Sequence, residues 1–184
     1  MAAEQHILQN EFAQGDRKAL ARAITLVENE LQGYEDILLN LHYDKYVPVI
    51  GITGPPGAGK STLVNSLIRA LLGKVQPGSK GIGVISVDPS SPIHRGAILG
   101  DRLRMNEHFE HKQVFIRSLA TRGALGGLSA KTIEVTELMR SFGFDYILVE
   151  TVGVGQSEVE IAGLADVTLL VLTPESGDDI QVMK

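Results

Sequence analysis

Residues Gly54-Pro55-Pro56-Gly57-Ala58-Gly59-Lys60-Ser61 follow the pattern G-x-x-x-x-G-K-[ST], and the residue types in it suit contact with a phosphate chain. Glycines let the backbone curl until successive N–H groups converge on phosphate oxygens, and a helix starting nearby adds its own unbonded amides. Lys60 would carry a cation to the β- and γ-phosphates, and the Ser61 hydroxyl is an oxygen ligand for Mg²⁺. Thr62 is grouped with residues 54–61 as nucleotide-binding. Two carboxylates close apolar runs where such a loop needs magnesium partners: Asp88 after Ile82–Val87, and Glu150 after Tyr146–Val149. Glu150-Thr151-Val152-Gly153 stands where a Walker-B or D-x-x-G element would, with Glu in place of Asp, and Gly153 supplies an amide able to sense a γ-phosphate.

Other candidates admit two readings each. Asp101 follows Gly100 and is either a helix N-cap or a further magnesium partner. Gln156 is able to orient an attacking water, but its spacing from Gly153 gives no analogy to place it. Arg117 and Arg122 either steady transition-state charge or pair with surface carboxylates. The candidate catalytic set is therefore Lys60, Glu150, Asp88 and Gln156. His6, His42, His94, His108 and His111 are scattered without metal-ligand spacing.

These residues need a strand before Gly54 and a helix after Ser61. Val47, Val49, Ile50 and Ile52 make a short apolar run that ends in the glycine turn, and Leu63, Leu67, Ile68, Leu71 and Leu72 continue with helical spacing. Strand-like runs recur at Ile82–Val87, Val114–Ile116, Tyr146–Val149 and Val167–Leu172, with helical stretches near Leu99–Phe109 and Ser129–Ser141. The alternation predicts an α/β fold of the P-loop NTPase type: a mostly parallel sheet with helices on both faces and ligands at the carboxyl ends of its strands. Ahead of it, the pattern from Ala2 to about Leu41 is helical. Leu20, Ile24, Val27 and Leu31 share one face there, and Gly15-Asp16 mark a break and an N-cap. Residues 1–44 are thus expected to form a helical extension and residues 45–184 the nucleotide-binding domain. The glycine-rich stretches Ala120–Ser129 and Thr151–Ser157 are expected to be loops able to rearrange. Because only Thr173–Lys184 follow the last strand-like run, the chain is expected to be C-terminally truncated.

Composition narrows the alternatives. With 184 residues, 43% hydrophobic and 21% charged, the chain can bury one core and is neither disordered nor fibrous. Seventeen basic against 22 acidic residues, net charge −5, argue against a duplex nucleic-acid surface, so any phosphate site must be local. The absence of cysteine excludes disulfides, thiolate metal sites and cysteine nucleophiles. Apolar runs such as Val167–Leu172 fall far short of the roughly 18 residues a membrane-spanning helix needs. The acidic start, with Glu4, Glu11, Asp16, Glu28 and Glu30, fits neither a secretory signal nor a transit peptide, so a bacterial cytoplasm is expected over a mitochondrial matrix.

The strings GITGPPGAGKSTLVN, VDPSSP, GAILGDR, FIRSLATRGALGGLS, VETVGVGQSEVEIA and SGDDIQ, in that order, resemble the MeaB/MMAA family of G proteins, also known as ArgK or LAO-transport ATPases. The resemblance spans most of Val47–Lys184. It implies a Mg²⁺-dependent GTPase that cycles between GTP and GDP with slow intrinsic turnover. The implied role is a chaperone of an adenosylcobalamin-dependent acyl-CoA mutase, chiefly methylmalonyl-CoA mutase, gating cofactor loading and protecting or reactivating the mutase. It also implies Asp88, Asp101 and Glu150 around the magnesium and phosphates, Ser61 as direct ligand, and residues 173–184 as a loop that signals nucleotide state. The chain ends before the family's N-K-x-D element and its dimerisation region, so GTP specificity and a homodimeric full-length protein rest on the resemblance alone. The competing readings are an ATPase linked to amino-acid transport, a small-molecule kinase and a nickel-insertion GTPase. No ABC-type signature supports the first, and the lack of cysteine with dispersed histidines opposes the last.

Overall fold

Apolar residues alternate along the central strands so that each of these feeds two cores. The computed structural model describes residues 2–88, 106–120, 128–153 and 157–174. Its strands are β1 (Val49–Thr53), β2 (Ile82–Asp88), β3 (Val114–Ala120), β4 (Tyr146–Glu150) and β5 (Val167–Leu170). They form one sheet in the order β3-β2-β4-β1-β5, and every adjacent pair is parallel. The helices are α1 (Ala2–Ala13), α2 (Arg17–Glu28), α3 (Tyr34–Leu39), α4 (Lys60–Leu72), α5 (Asn106–Phe109), α6 (Ala130–Phe142) and α7 (Ser157–Leu164). Ile52, Ile82, Val84 and Leu148 meet Val64 and Ile68 of α4 on one face. Val49, Ile85, Val87, Ile147 and Val149 meet α6 and α7 on the other. The period of two is what lets neighbouring residues of one strand serve opposite cores.

The helical start is three helices rather than one long pattern. Gly15 turns with φ +83°, and the Asp16 carboxylate accepts the amides of Lys18 and Ala19 at 2.6 and 2.9 Å, the N-cap expected for α2. Leu20, Ile24 and Val27 are fully buried, whereas Leu31 lies past the Asn29 C-cap and is 46% exposed, so the expected stripe stops one turn early. Arg17 fixes α2 to the sheet, donating to the carbonyls of Val114 at 2.7 Å and Lys80 at 2.9 Å. Arg117 takes the carboxylate-pairing alternative: its Nη2 meets Glu28 Oε2 at 2.7 Å and ties α2 to the edge strand β3.

At the amino ends of the strands, Asp145 accepts the Gly81 N–H at 2.9 Å and Lys45 Nζ at 2.8 Å. Burial raises the Asp145 pKa, but donation from Lys45, Ser79 and the Gly81 amide outweighs it and holds the carboxyl below its ordinary value. Strand β3 runs to Ala120, beyond the expected Ile116, and β5 stops at Leu170, short of the expected Leu172. Among the described residues, no helix is long and apolar enough to cross a membrane.

Candidate functional site

The parallel sheet brings three strand ends to one edge. Register sets Glu150 of β4 level with Ile52 of β1 and Ser86 of β2, and Asp88 ends β2 on the same edge. Residues 54–59 leave β1 there and turn into α4. Gly54 has φ +141°, and a Cβ on it would stand 2.1 Å from the Val171 carbonyl oxygen, so the loop passes β5 at a distance only glycine permits. Gly57 and Gly59 face open space on the side where a Cβ would project. Gly59, left-handed at φ +96°, is the N-cap of α4, and the first-turn amides of that 13-residue helix point out of its end.

Lys60 is 7% exposed, and its Nζ donates to the carbonyls of Gly54 at 2.9 Å and Pro55 at 3.0 Å. The ammonium is therefore held at the centre of its own loop. Pro56, Gly57 and Gly59 are exposed along the rim, Pro55 and Ala58 half-buried, and Thr62 exposed in the first turn of α4.

The Ser61 hydroxyl donates to Glu150 Oε1 at 2.7 Å, linking the first turn of α4 to the end of β4. Glu150 is 4% exposed. A half-buried hydroxyl beside a buried carboxylate forms a hard-oxygen donor pair, the chemistry Mg²⁺ takes and soft metals do not. Among the described residues, no group of three His, Cys, Asp or Glu side chains converges on a metal position. The Asp88 side chain, and Asp101, Arg122 and Gln156 altogether, lie outside the described residues, as do residues 175–184.

Gly153 completes the arrangement. Its φ is +80°, and a Cβ there would stand 1.9 Å from the Gly54 carbonyl oxygen and 2.7 Å from Lys60 Nζ. The segment after β4 is thus pressed onto the phosphate-loop backbone and its lysine. Sequence reasoning missed Thr53 and Thr151, both about 1% exposed, whose hydroxyls meet at 2.9 Å beneath this contact. The available signal was their position: Thr53 directly ends the apolar run before Gly54, and Thr151 follows the Glu150 that closes the run Tyr146–Val149.

A cavity of about 400 Å³ lies near the opposite edge, lined by Leu8, Phe12, Ile37, Lys80 and neighbours. Part of its polar rim is committed to structure: Lys80 donates to the Phe142 carbonyl, Ser141 Oγ accepts from the His42 amide, and Asn40 donates to the Asp36 carbonyl.

The family model described as methylmalonyl-CoA mutase-associated GTPase MeaB matches residues 20–184. A protein of Pyrococcus abyssi named provisionally as a GTPase is 48% identical over 171 residues, covering 92% of this chain and 52% of that protein. GTPase ArgK of Escherichia coli is 41% identical over 177 residues, 93% of this chain and 52% of its own length. The fused isobutyryl-CoA mutase of Cupriavidus metallidurans carries a region 43% identical over 173 residues, 92% of this chain and 16% of that protein. A solved structure titled LAO/AO transport system kinase superposes with TM-score 0.65 at 31% identity over 92% of this chain and 50% of its own. The chain spans about half the length of the GTPases it matches.

Proposed function

The chain belongs to the MeaB family, the methylmalonyl-CoA mutase-associated GTPases, and on that premise we propose that it binds Mg-GTP at residues 54–62 and hydrolyses it to GDP and phosphate. The observation that carries the reading is the Ser61 Oγ to Glu150 Oε1 bond of 2.7 Å, which sets an oxygen-donor pair beside the phosphate loop. When bound, Mg²⁺ would neutralise phosphate charge, with Ser61 as direct ligand and Glu150, Asp88 and Asp101 around it. The loop amides and the first turn of α4 bind the phosphate oxygens. Lys60 exchanges the Gly54 and Pro55 carbonyls for the β- and γ-phosphates, placing its charge where negative charge builds in the transition state. Gly153, already against Gly54 and Lys60, offers its N–H to the γ-phosphate and registers its loss, and Gln156 orients the attacking water.

The biological reading is a G-protein chaperone of an adenosylcobalamin-dependent acyl-CoA mutase, with the nucleotide cycle gating cofactor loading. What supports it is the family's description and the presence of a similar region inside a protein named as a fused mutase. Residues 1–44 serve as a helical extension to a G domain that begins at residue 45. The solved relative's title names a transport-system kinase, which makes ATP the competing nucleotide.

The test is phosphate release from Mg-GTP by the parent and by Lys60→Ala. Slow parental release that falls by about a hundredfold or more in the variant is expected. Release by Lys60→Ala at the parental rate would remove the loop from the reaction. Adding an acyl-CoA mutase is expected to change the rate, and indifference to it would contradict the partnership.

A further inference from the structure

Three strand ends meet at Thr53. It closes β1 and runs directly into Gly54. Its carbonyl accepts the Val171 N–H at 2.8 Å, just beyond β5, and the Thr151 N–H, just beyond β4, donates to Ile52 at 3.0 Å. These backbone bonds hold the strand ends together whatever the side chains are. The hydroxyls add something different: Thr151 Oγ1 donates to Thr53 Oγ1 at 2.9 Å, with both residues about 1% exposed. At such burial a side-chain hydrogen bond fixes geometry more strongly than at the surface. By strand alternation Thr53 shares the face of Val49 and Gly51, where α7 packs, opposite the α4 face on which Glu150 meets Ser61. The hydroxyl pair therefore lies on the face away from the Ser61–Glu150 contact, yet it joins the residue before Gly54 to the residue after Glu150.

We propose that the Thr53–Thr151 hydroxyl pair is a positioning contact for nucleotide hydrolysis, fixing the segment 150–153 against the phosphate loop. Thr151 is chained to Glu150 on one side and stands two residues before Gly153 on the other. A small slip of Thr151 relative to Thr53 therefore moves both the Glu150 carboxylate away from Ser61 and the Gly153 amide away from Gly54 and Lys60. The two hydroxyls prevent that slip. The inference rests on the nucleotide reading given above.

Four variants separate positioning from packing: Thr53→Val, Thr151→Val, the two together, and Thr151→Ser. Valine keeps the shape of threonine and loses the hydroxyl. Each single change leaves one buried hydroxyl without its partner and is expected to lower the melting temperature, whereas the double change removes both and is expected to melt near the parent. If the pair positions the segment, the double variant still turns over GTP about five- to tenfold more slowly in kcat. Its GDP affinity stays unchanged, and Thr151→Ser keeps the parental kcat. A double variant that melts and turns over like the parent would overturn the inference alone, as would a loss of GDP affinity equal to the loss of kcat. A parent that binds no guanine nucleotide would overturn the functional reading and this inference with it.

Discussion

Replacing Gly153 by alanine tests whether the segment after β4 truly bears on the phosphate loop. Two costs arise. A side chain at φ +80° costs about 1 to 2 kcal/mol. The added Cβ would also stand 1.9 Å from the Gly54 carbonyl oxygen and 2.7 Å from Lys60 Nζ. Lys60 Nζ is the end of a flexible chain and can yield, but the Gly54 oxygen is backbone. Restoring van der Waals distance needs a displacement of about 1.5 Å, and overpacking of that kind costs about 1 to 3 kcal/mol. Together the variant loses about 2 to 5 kcal/mol, which lowers the melting temperature by about 5 to 15 °C for a chain of this size. Misplacing loop and segment by about 1 Å also costs turnover about a hundredfold. Gly78→Ala is the control, because φ there is +84° but nothing lies within 4 Å, so it carries the backbone cost alone. Thermal unfolding and GTP turnover of both variants decide the matter. A Gly153→Ala protein that melts like Gly78→Ala and keeps parental turnover would refute the contact.

Glu150→Gln keeps an acceptor for the Ser61 hydroxyl but removes the charge, so nucleotide binding measured by calorimetry is expected to survive largely while hydrolysis slows by about ten- to a hundredfold. Asp145→Asn loses the charge that Lys45 and the Gly81 amide hold, at a cost of about 1 kcal/mol after allowing for its partial exposure. Because the folded-state pKa of Asp145 lies below its ordinary value, that stabilisation is full above the unfolded carboxyl pKa and is lost as pH falls through the folded one. The melting difference between parent and Asp145→Asn should therefore shrink below about pH 4, and a constant difference would contradict the assignment.

What was legible in the sequence follows from range. The glycine loop, the strand before it and the helix after it are local signals, and so is the Asp16 cap, because a turn or a cap is decided by residues within a few positions. The apolar runs gave the parallel sheet, since strands covered on both faces must be apolar throughout. The extent of β3 was less legible because it is an edge strand, where polar Arg117 and Ser118 are tolerated in a ladder that continues to Ala120. The helical start breaks at the Asn29 C-cap and resumes after Gly33, whose φ is +91°, although the apolar spacing alone runs on to Leu31. The Thr53–Thr151 contact joins residues 98 positions apart, and nothing local announces such a pair until the register of β1 against β4 is known.

The most direct measurement is calorimetric titration of Mg-GTP and Mg-ATP into the protein and its Lys60→Ala variant. GTP is expected to bind, ATP to be ignored and the variant to bind neither. Preferential binding of ATP, or GTP binding unchanged by Lys60→Ala, would contradict the proposed function.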